Sequence, residues 1–329
     1  MTPRRRGCDM FRKPYPIAAS RKARKGAVRP AQRRAGIASE TVMPPSFERR
    51  RLLAGAAALA VAGAGLRAGP ALCGAAAQGG PANAPADAPA DAPADAPVIA
   101  AASDLKFALT EIAAAFTAAT GMAMRLSFGS TGNFARQIRQ GAPFQLFLAA
   151  DERFIADLHA DGFTRDGGTL YALGRIVIMA PHGSALIPDS GLDHLAEMLA
   201  AGRVTRFAIA NPDHAPYGMR AREALHSRGL WDAIAPLLVL GENVGQAAQF
   251  ALSGNAEGGI IAYSLALAPE IAPRGRHALI PAAWHAPLRQ RMALLRGAGA
   301  VAEAFYAHMG TPGARTIMAR YGFALPEGE

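Results

Sequence analysis

Val98–Leu109, VIAAASDLKFAL, is the stretch that decides the fold. Its first five residues form an apolar run that is typical of a buried parallel strand. Ser103 and Asp104 follow, and both residue types favour a helix N-cap because their side-chain oxygens accept amide hydrogens of the first turn. An apolar repeat at helical spacing begins at Leu105. The stretch therefore predicts a strand, a cap and a helix, with Ser103 at the carboxyl end of the strand.

A second stretch repeats this pattern. The segment 122–128, MAMRLSF, predicts a strand, and Gly129-Ser130-Thr131-Gly132 separates it from an amphipathic helix. In open α/β sheets ligands bind at the carboxyl ends of the strands, and a helix N-terminus attracts anions. Two such ends that carry hydroxyl groups predict an oxyanion cradle, although each one alone also fits an ordinary capped turn.

Strand and helix patterns alternate through the rest of the chain. Further apolar strands are predicted at 145–149, 176–180, 207–210, 259–262 and 289–295, and the closing helices at 301–309 and 316–321. Asp151 and Glu152 follow one of these strands, and we interpret them as a helix cap rather than a catalytic carboxylate pair. This alternation predicts parallel sheets covered by helices.

The positive charge of the chain is concentrated at its N-terminus. The formal net charge is +10, yet residues 1–77 hold 16 lysines and arginines against three acidic residues. The remainder has 19 basic and 22 acidic residues. Because the basic residues lie outside the folded body, no nucleic-acid partner is predicted.

Residues 1–77 are predicted to be an N-terminal extension and a signal peptide. Arg49-Arg50 precedes a short apolar run that is too brief to span a bilayer comfortably. This arrangement resembles a twin-arginine export signal and predicts a periplasmic protein, with a membrane anchor as the alternative. Cys73 and the other cysteine, Cys8, lie in this region, and lipidation of Cys73 remains an alternative.

Residues 78–97 are an Ala/Pro/Asp linker with three tandem ADAP repeats.

Sequence motifs for catalysis and cofactor binding are missing. The chain contains no GxxxxGK[ST] loop, no GxGxxG after a strand and no HExxH. Gly129-Ser130-Thr131-Gly132 differs from the GxSxG elbow of hydrolases because its glycines are three residues apart. We therefore expect a protein that is not an enzyme and holds no cofactor.

Five blocks in the body together resemble one family. They are AASDLKFALTEIAAAF, LSFGSTGNFARQIRQGAP, LFLAADERF, NPDHAPYGMRAREAL and GENVGQAAQFALSGNAEGGI. In this order they resemble the periplasmic molybdate-binding proteins of molybdate ABC importers. The resemblance implies an α/β protein with the type II periplasmic-binding-protein fold, in which a ligand cleft separates two α/β lobes. Lobe 1 would comprise 98–175 plus 296–329, and lobe 2 would comprise 176–295.

The resemblance also implies a site that holds a molybdate oxyanion through hydroxyl and amide groups. It places the site on Ser103, Asp104, Ser130, Thr131, Tyr217 and Val244. Ser130 is the weaker candidate beside Thr131, and Val244 contributes its backbone N–H. Asp104 would also contribute its N–H, with its side chain turned away to accept amide hydrogens as a cap. Some family members have a ligand tyrosine where this chain has Ala262, with Tyr263 one residue later. Tyr217 would supply the phenol instead.

The predicted function is transport. An exported monomer would capture molybdate, and also tungstate, and deliver it to an inner-membrane ABC permease with its cytoplasmic ATPase. Three alternatives remain at this point. The protein could bind another oxyanion such as sulfate or phosphate, it could be an enzyme on the same fold, or it could be the ligand domain of a molybdate-responsive regulator.

Overall fold

The computed structural model of the chain describes residues 95–326. The predictions for the signal peptide at 1–77, and for all but the last residues of the linker at 78–97, lie outside the described residues. Within 95–326, no helix is both long enough and apolar enough to cross a membrane.

The described chain alternates strands and helices. The strands are β1 (Val98–Ala102), β2 (Arg125–Gly129), β3 (Phe144–Ala149), β4 (Thr169–Gly174), β5 (Ile176–Pro181), β6 (Phe207–Ala210), β7 (Leu238–Gly241), β8 (Gly258–Ala262), β9 (Gly275–Leu279) and β10 (Leu288–Leu294). The α-helices are α1 (Lys106–Thr120), α2 (Thr131–Arg139), α3 (Glu152–Ala160), α4 (Asp193–Ala200), α5 (Pro216–Ser227), α6 (Trp231–Ile234), α7 (Val244–Ala251), α8 (Tyr263–Ala266), α9 (Ala300–His308) and α10 (Pro312–Arg320).

These strands form two five-stranded sheets, and each sheet is mixed. The first has the order β2-β1-β3-β10-β4 and the second has the order β7-β6-β8-β5-β9. The prediction of parallel sheets is confirmed for β1 with β2 and β3, and for β6 with β7 and β8. It is wrong for β10 and β5, which run antiparallel to both of their neighbours. Strand β5 follows β4 after the single residue Arg175 and lies in the other sheet, so it does not enter its sheet through the strand–helix–strand crossover on which the prediction of parallel strands relied.

The helices divide between the two sheets, and we call each sheet with its helices a lobe. Strand β10 pairs with β3 and β4 and therefore belongs to the sheet of lobe 1. The predicted division placed all residues up to 295 in lobe 2, so the strand pairing differs from it at β10. The last two helices, α9 and α10, pack on lobe 1. Phe305 of α9 meets Phe116 of α1 edge to face, with ring centroids 5.3 Å apart.

The turn between β1 and α1 differs from the predicted cap. Residues Ser103–Leu105 form one 3-10 turn, and neither Ser103 nor Asp104 caps α1 through its side chain. Both side chains are instead bonded to residues of lobe 2. The predicted cap at Asp151 is confirmed, because its carboxylate accepts the N–H of Arg153 at 3.0 Å in the first turn of α3.

Candidate functional site

The carboxyl ends of β1 and β2 lie side by side, since Ala102 pairs with Gly129. Ser103 directly follows the first of these strands, and Ser130 follows the second. Helices α5 and α7 of lobe 2 begin opposite this edge, since Ser103 contacts the start of α7 and Ser130 contacts the loop before α5. The six residues assigned to the anion site therefore lie at the boundary between the lobes, and all six are buried.

Ser103 connects lobe 1 to the start of α7. Its Oγ accepts the N–H of Gly245 at 3.1 Å. Gly245 and Val244 are the first two residues of α7, and Asn243 caps the helix by accepting the N–H of Gln246 at 3.0 Å. Amide groups in a first turn have no carbonyl partner within their helix. The structure thus brings Ser103 together with the helix end that carries the Val244 amide.

Thr131 is the first residue of α2 and is 1% exposed. Its Oγ1 accepts the N–H of Ala150, the residue after β3, at 3.1 Å. Among the hydrogen bonds of residues 95–326, the hydroxyls of Thr131 and Ser103 act only as acceptors. A hydroxyl can accept and donate at once, so both side chains keep a proton for a further acceptor.

Ser130 bonds to the loop that precedes α5. Its Oγ lies 2.8 Å from Nδ1 of His214 and 2.8 Å from the carbonyl oxygen of the same residue. That carbonyl also accepts the N–H of Gly132 at 3.0 Å. On the far side of the ring, Nε2 of His214 lies 3.7 Å from Glu242. Ser130 is 84 residues from His214 in the chain, so the local sequence gives no sign of this contact.

Asp104 and Tyr217 meet across the lobe boundary. The Tyr217 hydroxyl donates to Oδ2 of Asp104 at 2.8 Å. Gln290 of β10 donates to the same Oδ2 at 2.6 Å and to the Tyr217 hydroxyl oxygen at 3.1 Å. Behind Gln290, Tyr171 donates to its Oε1 at 2.9 Å. A side chain on Gly174, where the chain leaves β4 for lobe 2, would overlap the Tyr217 hydroxyl.

This network corrects the expectation for the Asp104 side chain. The carboxylate was predicted to cap a helix, but it accepts a phenol and an amide from distant residues instead. Burial raises the pKa of Asp104 to about 6, against the opposing effect of the bonds from Gln290 and Tyr217. Burial, together with the Asp104 charge, raises the pKa of the Tyr217 hydroxyl well above its usual value. The phenol therefore stays protonated and acts as a donor.

A buried ion pair also connects the lobes. Arg220 of α5 donates to Asp151 at 2.6 Å, and both side chains are 5% exposed. Burial alone would raise the pKa of Asp151, but the bonds from Arg153 and the charges of Arg153 and Arg220 hold it below its usual value. Arg220 also donates to Glu223, so its charge is matched by carboxylates of the protein itself.

Two cavities differ in their relation to these residues. A cavity of about 360 Å³ opens beside Ser103, between α1 and α7, and Lys106, Glu270 and Arg274 also line it. A larger recess of about 620 Å³ lies on lobe 2 and contains none of the six assigned residues. The smaller cavity is the one that reaches the lobe boundary.

Tyr263 lies away from this network. The residue follows Ala262 and begins α8. Its ring packs beside Gly322 and 5.7 Å from the ring of His277, centroid to centroid. Tyr217 is therefore the tyrosine that contacts Asp104.

The sequence of the two lobes matches a known family model. The model of the bacterial extracellular solute-binding protein family matches residues 97–324. The chain belongs to this family. The strands and helices of residues 95–326 in this solute-binding protein, together with its six assigned residues, fall within the matched range.

Relatives of this solute-binding protein are similar along most of the described chain. It is 33% identical over 229 residues to the molybdate-binding protein ModA of Rhodobacter capsulatus, covering 69% of this chain and 87% of that one. It is 33% identical over 230 residues to ModA of Azotobacter vinelandii, covering 69% and 89%. A solved structure of the periplasmic molybdate-binding protein of Azotobacter vinelandii superposes with a TM-score of 0.64 at 29% identity, covering 70% of this chain and all of that one. The two-lobed fold predicted from the sequence is confirmed by this match.

Proposed function

We propose that this solute-binding protein captures molybdate, and also tungstate, between its lobes and delivers the anion to an ABC permease with its ATPase. The names of its relatives support this proposal. We also propose that the protein is a periplasmic monomer and that the twin-arginine-type signal at Arg49-Arg50 directs its export. The proposed function includes no catalytic step.

One observation carries the proposal: two buried hydroxyls at the lobe boundary accept backbone amides and keep their own protons. These are Ser103 and Thr131. The amide of Val244 lies beside the first of them, in the first turn of α7. Hydroxyls and first-turn amides are suitable donors for an anion, because bonds to a charged acceptor are stronger than neutral ones.

The proposed ligand set contains no cation. A dianion in such a site is stabilised by oriented dipoles and needs no counter-charge. Neutral donors at fixed positions discriminate by radius, since a smaller anion would have long, poorly angled hydrogen bonds. We therefore expect molybdate and tungstate to bind within about tenfold of each other, and sulfate and phosphate to bind at least about a hundredfold more weakly.

The test is competition calorimetry of the body, residues 98–329, with the four anions at one ionic strength. Sulfate binding as tightly as molybdate would overturn the molybdate assignment and leave a general oxyanion-binding protein. Binding of none of the four anions would overturn the proposed function as a whole.

A variant of Thr131 tests the site within the same experiment. Thr131→Val keeps the shape and removes the donor, so we expect the affinity to fall about ten- to a hundredfold. Thr131→Ser is the matched control, because it retains a hydroxyl that can accept from Ala150 and donate to the anion. Equal affinity of the Val variant and the parent would exclude Thr131 as a ligand. Melting curves of both variants separate a loss of binding from a loss of folding.

A further inference from the structure

The hydroxyl proton of Tyr217 already forms a hydrogen bond within the protein. A phenol has one proton to donate, and Tyr217 donates it to Oδ2 of Asp104 at 2.8 Å. If Tyr217 is a ligand of the oxyanion, as the family resemblance implies, the same proton must go to an anion oxygen. The phenol cannot make both bonds at full strength, so the carboxylate and the anion compete for it.

The carboxylate of Asp104 itself occupies a place where donors converge. Its Oδ2 accepts from Tyr217 of α5 and from Gln290 of β10. Its Oδ1 is buried and has no hydrogen-bond partner among the described residues. A buried carboxylate oxygen without a partner is costly, so this group is incompletely solvated where it lies.

The groups around Asp104 are neutral donors. Tyr217 and Gln290 contact its carboxylate, Tyr171 of β4 lies behind Gln290, and Ser264 of α8 donates to the Asp104 carbonyl oxygen at 2.8 Å. Within residues 95–326, no cation is hydrogen-bonded or ion-paired to this carboxylate. An incoming dianion would therefore meet an unneutralised negative charge bonded to one of its own donors.

We propose that the Asp104 carboxylate is an internal competitor of the oxyanion, which holds the Tyr217 hydroxyl when the site is empty and so weakens anion binding. The inference rests on the proposed function, since it needs an oxyanion at this site. It makes Asp104 an affinity-setting residue, a role that sequence reasoning did not assign to its side chain.

The main test is Asp104→Asn, measured by calorimetry with molybdate. The Asn side chain has nearly the same shape, and its carbonyl oxygen can still accept from Gln290. Because this oxygen is neutral, it holds the phenol proton of Tyr217 more weakly than a carboxylate does and leaves it for the anion. We expect molybdate to bind at least about tenfold more tightly, which is the scale of one charge-assisted hydrogen bond. Asp157→Asn is the matched control, because this exposed aspartate lies on α3 of the same lobe. It removes one negative charge from an exposed position and should leave the affinity within about twofold.

A double-mutant cycle with Tyr217→Phe tests the competition itself. In the parent, we expect Tyr217→Phe to change the affinity by less than about threefold, because the phenol exchanges one anionic acceptor for another. In the Asp104→Asn background, the same change should cost about tenfold or more. If the Asn variant does not fold, the parent-background measurement can still overturn the inference, because a tenfold loss from Tyr217→Phe there would show that the carboxylate does not compete with the anion.

The outcomes separate the inference from the proposed function. Tighter binding by Asp104→Asn together with the larger Tyr217 effect supports the inference. Unchanged or weaker binding by a folded Asn variant, or a tenfold loss from Tyr217→Phe in the parent, overturns it while the anion-binding function stands. If neither the parent nor Asp104→Asn binds any of the four anions, the proposed function fails and the inference fails with it.

Discussion

At the scale of single residues, Asp104 couples protonation to folding. Burial raises its pKa from 3.8 to about 6, so between these values the folded protein binds more protons at this residue than the unfolded chain does. The free energy of unfolding then decreases as the pH rises. The stabilisation is complete below about pH 3.8 and is lost as the pH passes through about 6. Asp151 has the opposite shift, so total stability alone does not isolate Asp104.

Asp104→Asn isolates it, because every other titrating group is common to both proteins. A pKa shift of about two units corresponds to about 3 kcal/mol. We expect the unfolding free energy of the parent, relative to the variant, to fall by about 2–3 kcal/mol between pH 4 and pH 7.5. Urea unfolding at both pH values measures this difference. If the difference in unfolding free energy between the parent and the variant is the same at both pH values, the raised pKa of Asp104 is contradicted.

At the scale of secondary-structure elements, the first turn of α2 contacts the loop before α5. The Gly132 N–H donates to the His214 carbonyl oxygen at 3.0 Å, and a Cβ at residue 132 would lie 2.5 Å from that oxygen. Real Cβ atoms do not approach backbone so closely, hence a side chain here would push the two elements apart. Glycine at this position permits the lobes to meet.

Gly132→Ala should therefore weaken anion binding rather than folding. Alanine suits a helix at least as well as glycine, so we expect each lobe to stay folded while the affinity for molybdate falls about tenfold or more. Gly313→Ala is the control, since residue 313 also lies in the first turn of a helix, α10, and a Cβ there has nothing within 4 Å. It should keep the parent's affinity. Calorimetry and melting curves of both variants test this, and unchanged affinity of Gly132→Ala would show that the lobes tolerate the displacement.

Local patterns predicted the buried elements well and the cross-lobe contacts poorly. The strands at 98–102 and 207–210 have the predicted bounds, because continuous apolar runs mark them. The strands β4, β7 and β9 were missed. All three are edge strands, and the residues of β7 and β9 are largely half-buried or exposed. Asp104 was misread because its nearest sequence neighbours suggest a cap, while Tyr217 is 113 residues away and Gln290 is 186 residues away.

At the scale of the whole molecule, the pair Arg49-Arg50 ahead of a short apolar run predicts export by the twin-arginine route. Replacing Arg49 and Arg50 with lysine should abolish the mature form in the periplasm, because a twin-arginine signal requires this pair. Arg33→Lys with Arg34→Lys is the matched control, since it changes an arginine pair farther from the apolar run. Immunoblots of periplasmic fractions report the outcome. Normal export of the Arg49/Arg50 variant would contradict the proposed route.

The position of β10 also has a consequence for the order of folding. Strands β5 to β9 of lobe 2 are contiguous, from Ile176 to Leu279, so this lobe has all its strands before the chain is complete. Lobe 1 does not, because β10 lies between β3 and β4 and joins them. Its sheet closes only after the whole of lobe 2 has been made, and such a distant closure carries a chain-entropy cost and slows folding. The part of the protein that is synthesised later can thus finish folding first, and lobe 1, which carries Ser103 and Thr131, is completed by the last strand.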